Sequence, residues 1–189
     1  MKTFKKLSIL FLSTLGFLAC SNDDDNPTPV NEEEVITTLT AVLTPISGGT
    51  TVTLQIRDLD GDGPNEPDLT VSGPLVINTT YNGSLTLLNE TESPAELINS
   101  EIEEEDDEHQ FFFQSSNNIA TFTYADSDRN SNPIGLEFAL ITASSAGSGN
   151  ITVTLRHKPN KAASGVFEGD ITNAGGETDI EATFPVTLQ

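Results

Sequence analysis

The chain has 189 residues, of which 29 are acidic and eight are basic, giving a formal charge of −21 at pH 7. Such a field repels phosphate backbones, so nucleic-acid binding is not expected. The single cysteine excludes an intramolecular disulfide, but a chain of this length buries enough core to fold as one domain without it.

Residues 1–19 have the pattern of a signal peptide that is removed during export. The segment has lysines at positions 2, 5 and 6, continues with an apolar run from 7 to 18, and ends at Ala19 before Cys20. This run is about a dozen residues long, whereas a membrane-spanning helix needs about 20. The pattern therefore favours export over a transmembrane anchor.

Phe17-Leu18-Ala19-Cys20 resembles the lipobox of bacterial lipoproteins, after which the cysteine becomes the first residue and is lipidated. Phe17 and Leu18 depart from the commoner leucine and small residue. Cys20 is therefore the predicted lipidation site. The alternative is cleavage by an ordinary secretory peptidase, which would leave Cys20 as a thiol.

An acidic, flexible tether is predicted for residues 20–34, because the adjacent carboxylates Asp23-Asp24-Asp25 repel one another and stay solvated. An acidic stretch just after a lipid-bearing cysteine is similar to the surface-export signal of Bacteroidetes lipoproteins. This favours the outer face of the outer membrane, with the periplasmic face and a plain spacer as alternatives. Without residues 1–19 the charge is 5 − 29 = −24, so membrane attachment must come from the lipid.

Residues 35–189 are predicted to form a single all-β domain. Apolar and polar residues alternate in segments such as 52–57 and 151–155, and turn signals such as Asn82-Gly83 separate them. Short strands at this spacing indicate an immunoglobulin-like or transthyretin-like β-sandwich of about seven to nine strands.

One stretch departs from the β pattern. Ser93-Pro94-Ala95-Glu96 fits a helix capping box, after which Leu97, Ile98 and Ile102 could face a core from a short helix. The alternative is a strand from Ile98 to Ile102, and the favoured interpretation is at most one helical turn near Ser93, followed by strand and loop. The acidic run 103–108 repels itself and is predicted to be an exposed loop. Three consecutive phenylalanines at 111–113 then predict a strand that is buried on both faces or covered by a loop.

Residues 58–63 match the opening D-x-D-x-D-G of a calcium loop, in which alternate carboxylates converge on a hard cation. By resemblance to such loops, the predicted calcium ligands are Asp58, Asp60, Asp62, the carbonyl of Pro64, and Glu66. Leu69 stands where a bidentate glutamate is usual, and no flanking helices are predicted, so a loop grafted between strands is the nearer analogue. The alternative is that the Asp-Gly pairs form β-turns.

A second loop also places oxygen side chains at alternate positions after a strand, namely Asp126, Asp128 and Asn130. Ser131 replaces the glycine and Arg129 adds a positive charge, so this is the weaker of the two calcium patterns.

The chain has two histidines. His109 ends the acidic run and His157 ends a predicted strand. If the fold brings them together with Glu105 or Glu108, their nitrogens and oxygens would suit zinc or another borderline metal. The alternative is two separate surface histidines.

Signatures of common enzymes are absent from the sequence: there is no G-x-S-x-G, P-loop, H-E-x-x-H or C-x-x-C. The lack of tryptophan argues against a glycan-binding platform. A non-catalytic protein is therefore expected.

Four segments, 31–38, 58–64, 155–161 and 169–176, resemble a group of small flavobacterial outer-membrane lipoproteins, some of which carry the label "type 1 periplasmic binding fold superfamily protein". The resemblance implies location and lineage, and no activity. The two-lobed α/β fold in that label would need a far longer chain with a helical period, which this sequence lacks.

These observations predict a lipid-anchored, non-catalytic binding module at the cell surface or outer membrane, capturing a metal ion or ligand for an outer-membrane uptake receptor. The alternative is a structural or adhesive surface protein whose loops are stiffened by calcium. Calcium is the first expected cofactor and zinc the second.

Overall fold

Alternating apolar and polar residues form strands throughout the part of the chain that the structure describes. The computed structural model describes residues 34–61 and 63–189, so the predicted signal peptide, Cys20, Asp62 and the tether before Glu34 lie outside the described residues. The elements in those ranges are β1 (Thr38–Pro45), β2 (Val52–Arg57), β3 (Asp68–Val71), β4 (Thr80–Asn89), β5 (Glu96–Leu97), α1 (Asn99–Glu104), β6 (His109–Ser115), β7 (Ala120–Tyr124), β8 (Glu137–Thr142), β9 (Gly147–His157), a 3₁₀ turn (Ile171–Asn173) and β10 (Glu177–Leu188).

The strands form two antiparallel sheets. One has the order β3-β2-β1-β4-β8-β7, with β5 also pairing with β4, and the other has the order β10-β9-β6. Strands account for 46% of the residues and helix for 6%, which confirms the predicted all-β sandwich. The ten described strands exceed the about seven to nine expected, because β3 and β5 have only four and two residues.

The two sheets share one hydrophobic core. Leu39 and Leu87 from the larger sheet and Leu155 and Phe184 from the smaller one are all fully buried. Each such side chain contributes about 1.5–3 kcal/mol of apolar burial.

The first four residues of β6, His109 to Phe112, are buried on both faces, as predicted for the start of this strand, whereas Phe113 is only partly buried. Phe111 faces the core between the sheets, whereas Phe112 packs against Val166 and Ala174. The long connection between β9 and β10 therefore covers the outer face of β6.

The only α-helix in the described ranges begins at Asn99, so the favoured helical turn near Ser93 is wrong, whereas the alternative of a short helix is right for the buried Ile98 and Ile102. The Asn99 side chain accepts a hydrogen bond from the Leu87 N–H (2.8 Å) and donates one to the Leu85 carbonyl (2.9 Å). Ile102 is fully buried below it. These contacts with β4 outweigh the local capping pattern. No helix in the described ranges is long and apolar enough to cross a bilayer.

Several chain segments meet at one end of the sandwich, which we call the histidine end. Because every neighbouring pair in β2-β1-β4-β8-β7 is antiparallel, β2 and β7 run in the same direction. The loops after Arg57 and Tyr124 therefore emerge at the same end. His109 at the start of β6 and His157 at the end of β9 lie there too.

The hydrogen bonds that Arg57 and Thr38 donate to Glu90 at the histidine end predict how stability changes with acid. Arg57 donates two hydrogen bonds to Glu90 (2.9 and 2.7 Å) and Thr38 donates a third (2.5 Å). The hydrogen bonds from Arg57, followed by that from Thr38, lower the pKa of Glu90 from 4.5 to about 2. A depressed carboxyl pKa stabilises the folded state above the unfolded pKa, and the contribution disappears as pH falls through the folded pKa.

Glu90→Gln is therefore expected to flatten the loss of stability between pH 4.5 and pH 2, the window set by these pKa values. Urea unfolding at several pH values would measure this, with the exposed Glu92→Gln on the same turn as control. Parallel acid profiles for wild type and Glu90→Gln would contradict the assignment.

Candidate metal centre

The pairing of β6 with β9 brings the two histidines together. His109 and His157 occupy directly opposed positions on these strands. Their rings stack with centroids 4.7 Å apart and planes 11° from parallel. Both residues are buried, with 0% and 3% of their surface exposed. The sheet register therefore assembles what the sequence leaves far apart.

Two glutamates complete the cluster. The ligand atoms of Glu34, Glu105, His109 and His157 all lie within 4.8 Å of one another. Glu34 comes from the segment before β1, and its side chain is 6% exposed. Glu105 follows α1 and is exposed to solvent, unlike the two buried histidines. Two imidazoles and two carboxylates form the donor set of a borderline divalent ion.

The contacts of His109 favour Nε2 as its ligand atom. Nδ1 lies 3.2 Å from the backbone carbonyl of Glu105 and donates a hydrogen bond to it. In a neutral ring this leaves the lone pair on Nε2. Backbone carbonyls orient metal-binding histidines in the same way. Glu105 thus offers its carboxylate to the cluster while its carbonyl fixes the ring of His109.

His109 and Glu34 form a close pair whose charges depend on each other. Nε2 lies 2.8 Å from Glu34 Oε1, with the oxygen off the axis of the ring N–H. Burial alone would lower the pKa of His109, but the Glu34 carboxylate outweighs it and raises that pKa. Burial alone would raise the pKa of Glu34, but the hydrogen bond and the charge of His109 favour the carboxylate. The pKa of Glu34 is therefore lowered. The pair therefore behaves as an ion pair that a cation could replace.

The cluster contains buried polar atoms without hydrogen-bond partners among the described residues. These include both ring nitrogens of His157 and Oε2 of Glu34. An unsatisfied buried polar group costs about 1–3 kcal/mol. A metal ion would bind Oε2 of Glu34 and the one ring nitrogen of His157 that carries a lone pair, so it would remove the cost for those two atoms.

Further charged groups surround the histidines. Glu108 Oε2 lies 3.5 Å from His157 Nε2 and 3.2 Å from Lys158 Nζ. Burial opposes the ionisation of Glu108. The nearby Lys158 favours it, and the pKa of Glu108 is lowered overall. The fully buried Asp179 carboxylate lies 4.0 Å from His157 Nδ1. Carboxylates therefore face the histidine pair from the segment before β1, the acidic run and β10, which favours a divalent cation there.

The present rotamers fit one ion only after a small adjustment. Tetrahedral zinc with bonds of about 2.0–2.1 Å separates its ligand atoms by about 3.4 Å, whereas the cluster extends to 4.8 Å. A metal ion also lies close to the plane of each imidazole, and two nearly parallel rings cannot both satisfy that condition. Metal binding therefore requires the ring of His157 or His109 to rotate and the stack to open.

The first aspartate loop is a tight turn in the structure. Asp58 Oδ1 accepts the N–H groups of Asp60 and Gly61 at 3.2 and 3.0 Å. Asp60 accepts the Asn65 side chain at 2.5 Å. Gly61 adopts the left-handed φ of 56° that this turn needs. Because Asp62 lies outside the described residues, calcium binding by Asp58, Asp60, Asp62, Pro64 and Glu66 stays a prediction.

The second loop uses its carboxylates internally. Asp126 accepts the N–H groups of Gly135 and Glu137 (2.7 and 2.9 Å). Asp128 accepts the N–H groups of Asn130 and Asn132, both at 2.8 Å. These bonds tie the carboxylates to the backbone of their own loop, and calcium at Asp126, Asp128 and Asn130 also stays a prediction.

The cation beside Asp128 is Lys161, whose ammonium lies 3.0 Å from Oδ2 and is buried with it. Burial alone would raise the pKa of Asp128. The hydrogen bond from the Asn132 N–H and the contact with Lys161 together outweigh this effect, so the pKa is lowered. A metal ion at Oδ2 would have to displace or tolerate this positive charge.

Sequence reasoning identified His109, His157 and Glu105 as candidates but missed Glu34, which it assigned to the end of the tether. The structure places Glu34 against His109. The only available signal was its position four residues before the alternating pattern of β1 begins.

Comparisons with protein-family models, curated proteins and solved structures find no match to this chain. The resemblance to flavobacterial lipoproteins therefore stays a prediction, and the functional argument depends on the geometry of the cluster.

Proposed function

We propose that this protein is a non-catalytic, lipid-anchored binding module that holds a zinc-class divalent ion between Glu34, Glu105, His109 and His157. The observation that carries the proposal is the convergence of these four ligand atoms within 4.8 Å. The chain has two histidines in all, and both are in the cluster.

Charge balance supports a divalent ion in this position. Two carboxylates and two neutral imidazoles carry a charge of −2, which one divalent ion neutralises. Without it, a proton on one histidine neutralises half of that charge, and a second proton would place two positive rings face to face. Buried charges need such compensation, because their desolvation cost is high.

The setting of the ion is inferred from the amino terminus. A lipidated Cys20 would hold the domain at the outer membrane. The acidic residues after Cys20 favour the outer face of that membrane over the periplasmic face. At that location, a bound ion would be passed to an uptake receptor. Retention of radiolabelled lipid by wild type and its loss in Cys20→Ala would support the anchor.

A separate observation favours a second function, that of a structural or adhesive surface protein whose loops are stiffened by calcium. The loops after β2 and β7 emerge at the same end of the larger sheet, and both carry aspartates at alternate positions. This function predicts stabilisation by calcium and no tight binding of a transition metal.

The test is metal content by elemental analysis and then calorimetry of the purified, metal-stripped protein with zinc and calcium. We expect one zinc per chain. Zinc at 100 times its Kd should stabilise the fold by about 2.7 kcal/mol, which raises Tm by roughly 5–11 °C in a domain of this size.

Matched variants separate this site from surface binding. Glu105→Gln should weaken zinc binding by at least the roughly 10- to 100-fold that loss of a residue supporting the ligands costs, because Glu105 is itself a ligand. Glu103→Gln, which is exposed in the same acidic run, should not change it. Zinc that binds equally to both variants, or not at all, would refute the metal proposal. Calcium binding lost in Asp58→Ala, Asp60→Ala would support the second function.

A further inference from the structure

The segment that contributes Glu34 is attached differently from the elements that contribute the other three ligands. The chain is held by backbone hydrogen bonds from Thr37 onward, where the Thr37 N–H donates to the Leu88 carbonyl at 2.9 Å. Before that point Val35 is 54% exposed and Ile36 is partly buried. The side chain of Glu34 therefore joins the start of the domain to the end of the other sheet.

The remaining ligands belong to one firmly held unit. His109 and His157 are paired within the β6–β9 ladder. Glu105 is fixed through the backbone, since its N–H donates to the Glu101 carbonyl at 2.9 Å. These three side chains can hold an ion without Glu34, leaving one position open to water or to an incoming ligand.

Because of this asymmetry, we propose that Glu34 is a metal-operated latch, an inference that rests on the proposed zinc site. A bound ion would replace the present contact between Glu34 and His109, 2.8 Å long, by a bond from the Glu34 carboxylate to the metal, and so hold the segment before β1 more tightly at the histidine end. Withdrawal of Glu34 opens the fourth position, through which the ion exchanges with water or with an acceptor that supplies its own ligand.

The polar atoms of Glu34 support this role. Oε1 already lies 2.8 Å from His109 Nε2, and Oε2 is buried without a hydrogen-bond partner among the described residues. A change of the Glu34 side-chain rotamer, together with the ring rotation that metal binding requires, would transfer the carboxylate from His109 to an ion in the cluster. No strand pairing changes in this movement, because Glu34 precedes β1 by four residues.

The experiment compares wild type, Glu34→Gln and Glu105→Gln, each saturated with zinc. It measures zinc dissociation by stopped flow into excess chelator and hydrogen exchange of the Val35 and Ile36 amides. Zinc should slow this exchange at least tenfold in wild type. Glu34→Gln should abolish the slowing and accelerate zinc release by roughly 10- to 100-fold.

Glu105→Gln distinguishes a latch from a general weakening of the site. This variant should bind zinc more weakly than wild type. Once it is saturated with zinc, its Val35 and Ile36 amides should still exchange slowly, because Glu34 remains to bind the ion. Zinc that binds tightly to wild type but leaves on the same timescale from Glu34→Gln, with unchanged exchange at Val35, would overturn the latch and leave the proposed function intact. Absence of zinc binding in wild type would instead reject the proposed function and the latch together.

Discussion

Replacement of Lys161 by methionine is expected to lower the free energy of unfolding by roughly 3–5 kcal/mol, the cost of removing one partner from a buried ion pair. Lys161 Nζ donates to the Asp106 carbonyl (2.7 Å), Asp128 Oδ2 (3.0 Å) and the Pro133 carbonyl (3.1 Å). Its side chain is 7% exposed and that of Asp128 is 0% exposed. One ammonium thus joins three loops at the histidine end, and methionine would leave the Asp128 carboxylate buried without its counter-ion.

Urea unfolding measures this loss, and thermal unfolding should show a Tm lower by roughly 6–20 °C. Arg129→Met is the matched control, because Arg129 also binds Asp106 but is 56% exposed. An exposed pair contributes about 0–1 kcal/mol. Equal losses in Lys161→Met and Arg129→Met would show that the burial of Lys161 has no energetic consequence. Adding Asp128→Asn to Lys161→Met should recover part of the loss, since the uncompensated charge is removed.

Gly176→Ala is expected to destabilise the fold more than Gly175→Ala and to weaken zinc binding. Both glycines have left-handed φ angles, 61° at Gly175 and 71° at Gly176. Alanine in this region costs about 1–2 kcal/mol at either position. A Cβ at Gly175 would meet no atom within 4 Å, whereas a Cβ at Gly176 would collide with the His157 carbonyl and lie 3.0 Å from the Lys158 carbonyl.

Because backbone atoms cannot rotate away, the collision should add roughly 1–3 kcal/mol, the usual cost of overpacking. The displaced backbone carries His157, so zinc affinity should fall in Gly176→Ala and remain near that of wild type in Gly175→Ala. Chemical denaturation and zinc calorimetry on both variants provide the measurements. Similar behaviour of the two variants would mean that the chain near His157 yields without consequence for the cluster.

The sandwich was predictable because alternation has period two on each strand, as in β4, whose residues are buried in alternate positions. The start of α1 was not predictable, because it depends on hydrogen bonds from Asn99 to a strand ten or more residues earlier. Local capping patterns carry no information about such partners.

The histidine pair was predictable only in part. Two histidines at strand ends suggested a borderline metal, but their opposition depends on the β6–β9 register, which no local pattern encodes. Glu34 was missed because an acidic residue before a strand reads as solvent-exposed.

The acidic run was expected to repel itself into solvent, yet Asp106 and Glu108 bind Arg129 and Lys158. Such long-range neutralisation becomes visible only once the fold is known.

Strand β10 forms the border of the smaller sheet, and its outward backbone groups are a template for strand pairing between molecules. Near its end the border is covered, since the Thr187 carbonyl accepts the Leu75 N–H (2.9 Å) and the Gln189 N–H donates to the Leu75 carbonyl (2.9 Å). Pro185, two residues before Thr187, faces the same way and lacks an N–H. Glu177 and Glu181 place negative charge on the remaining stretch. Copies of this protein crowded side by side should therefore resist aggregation through this border.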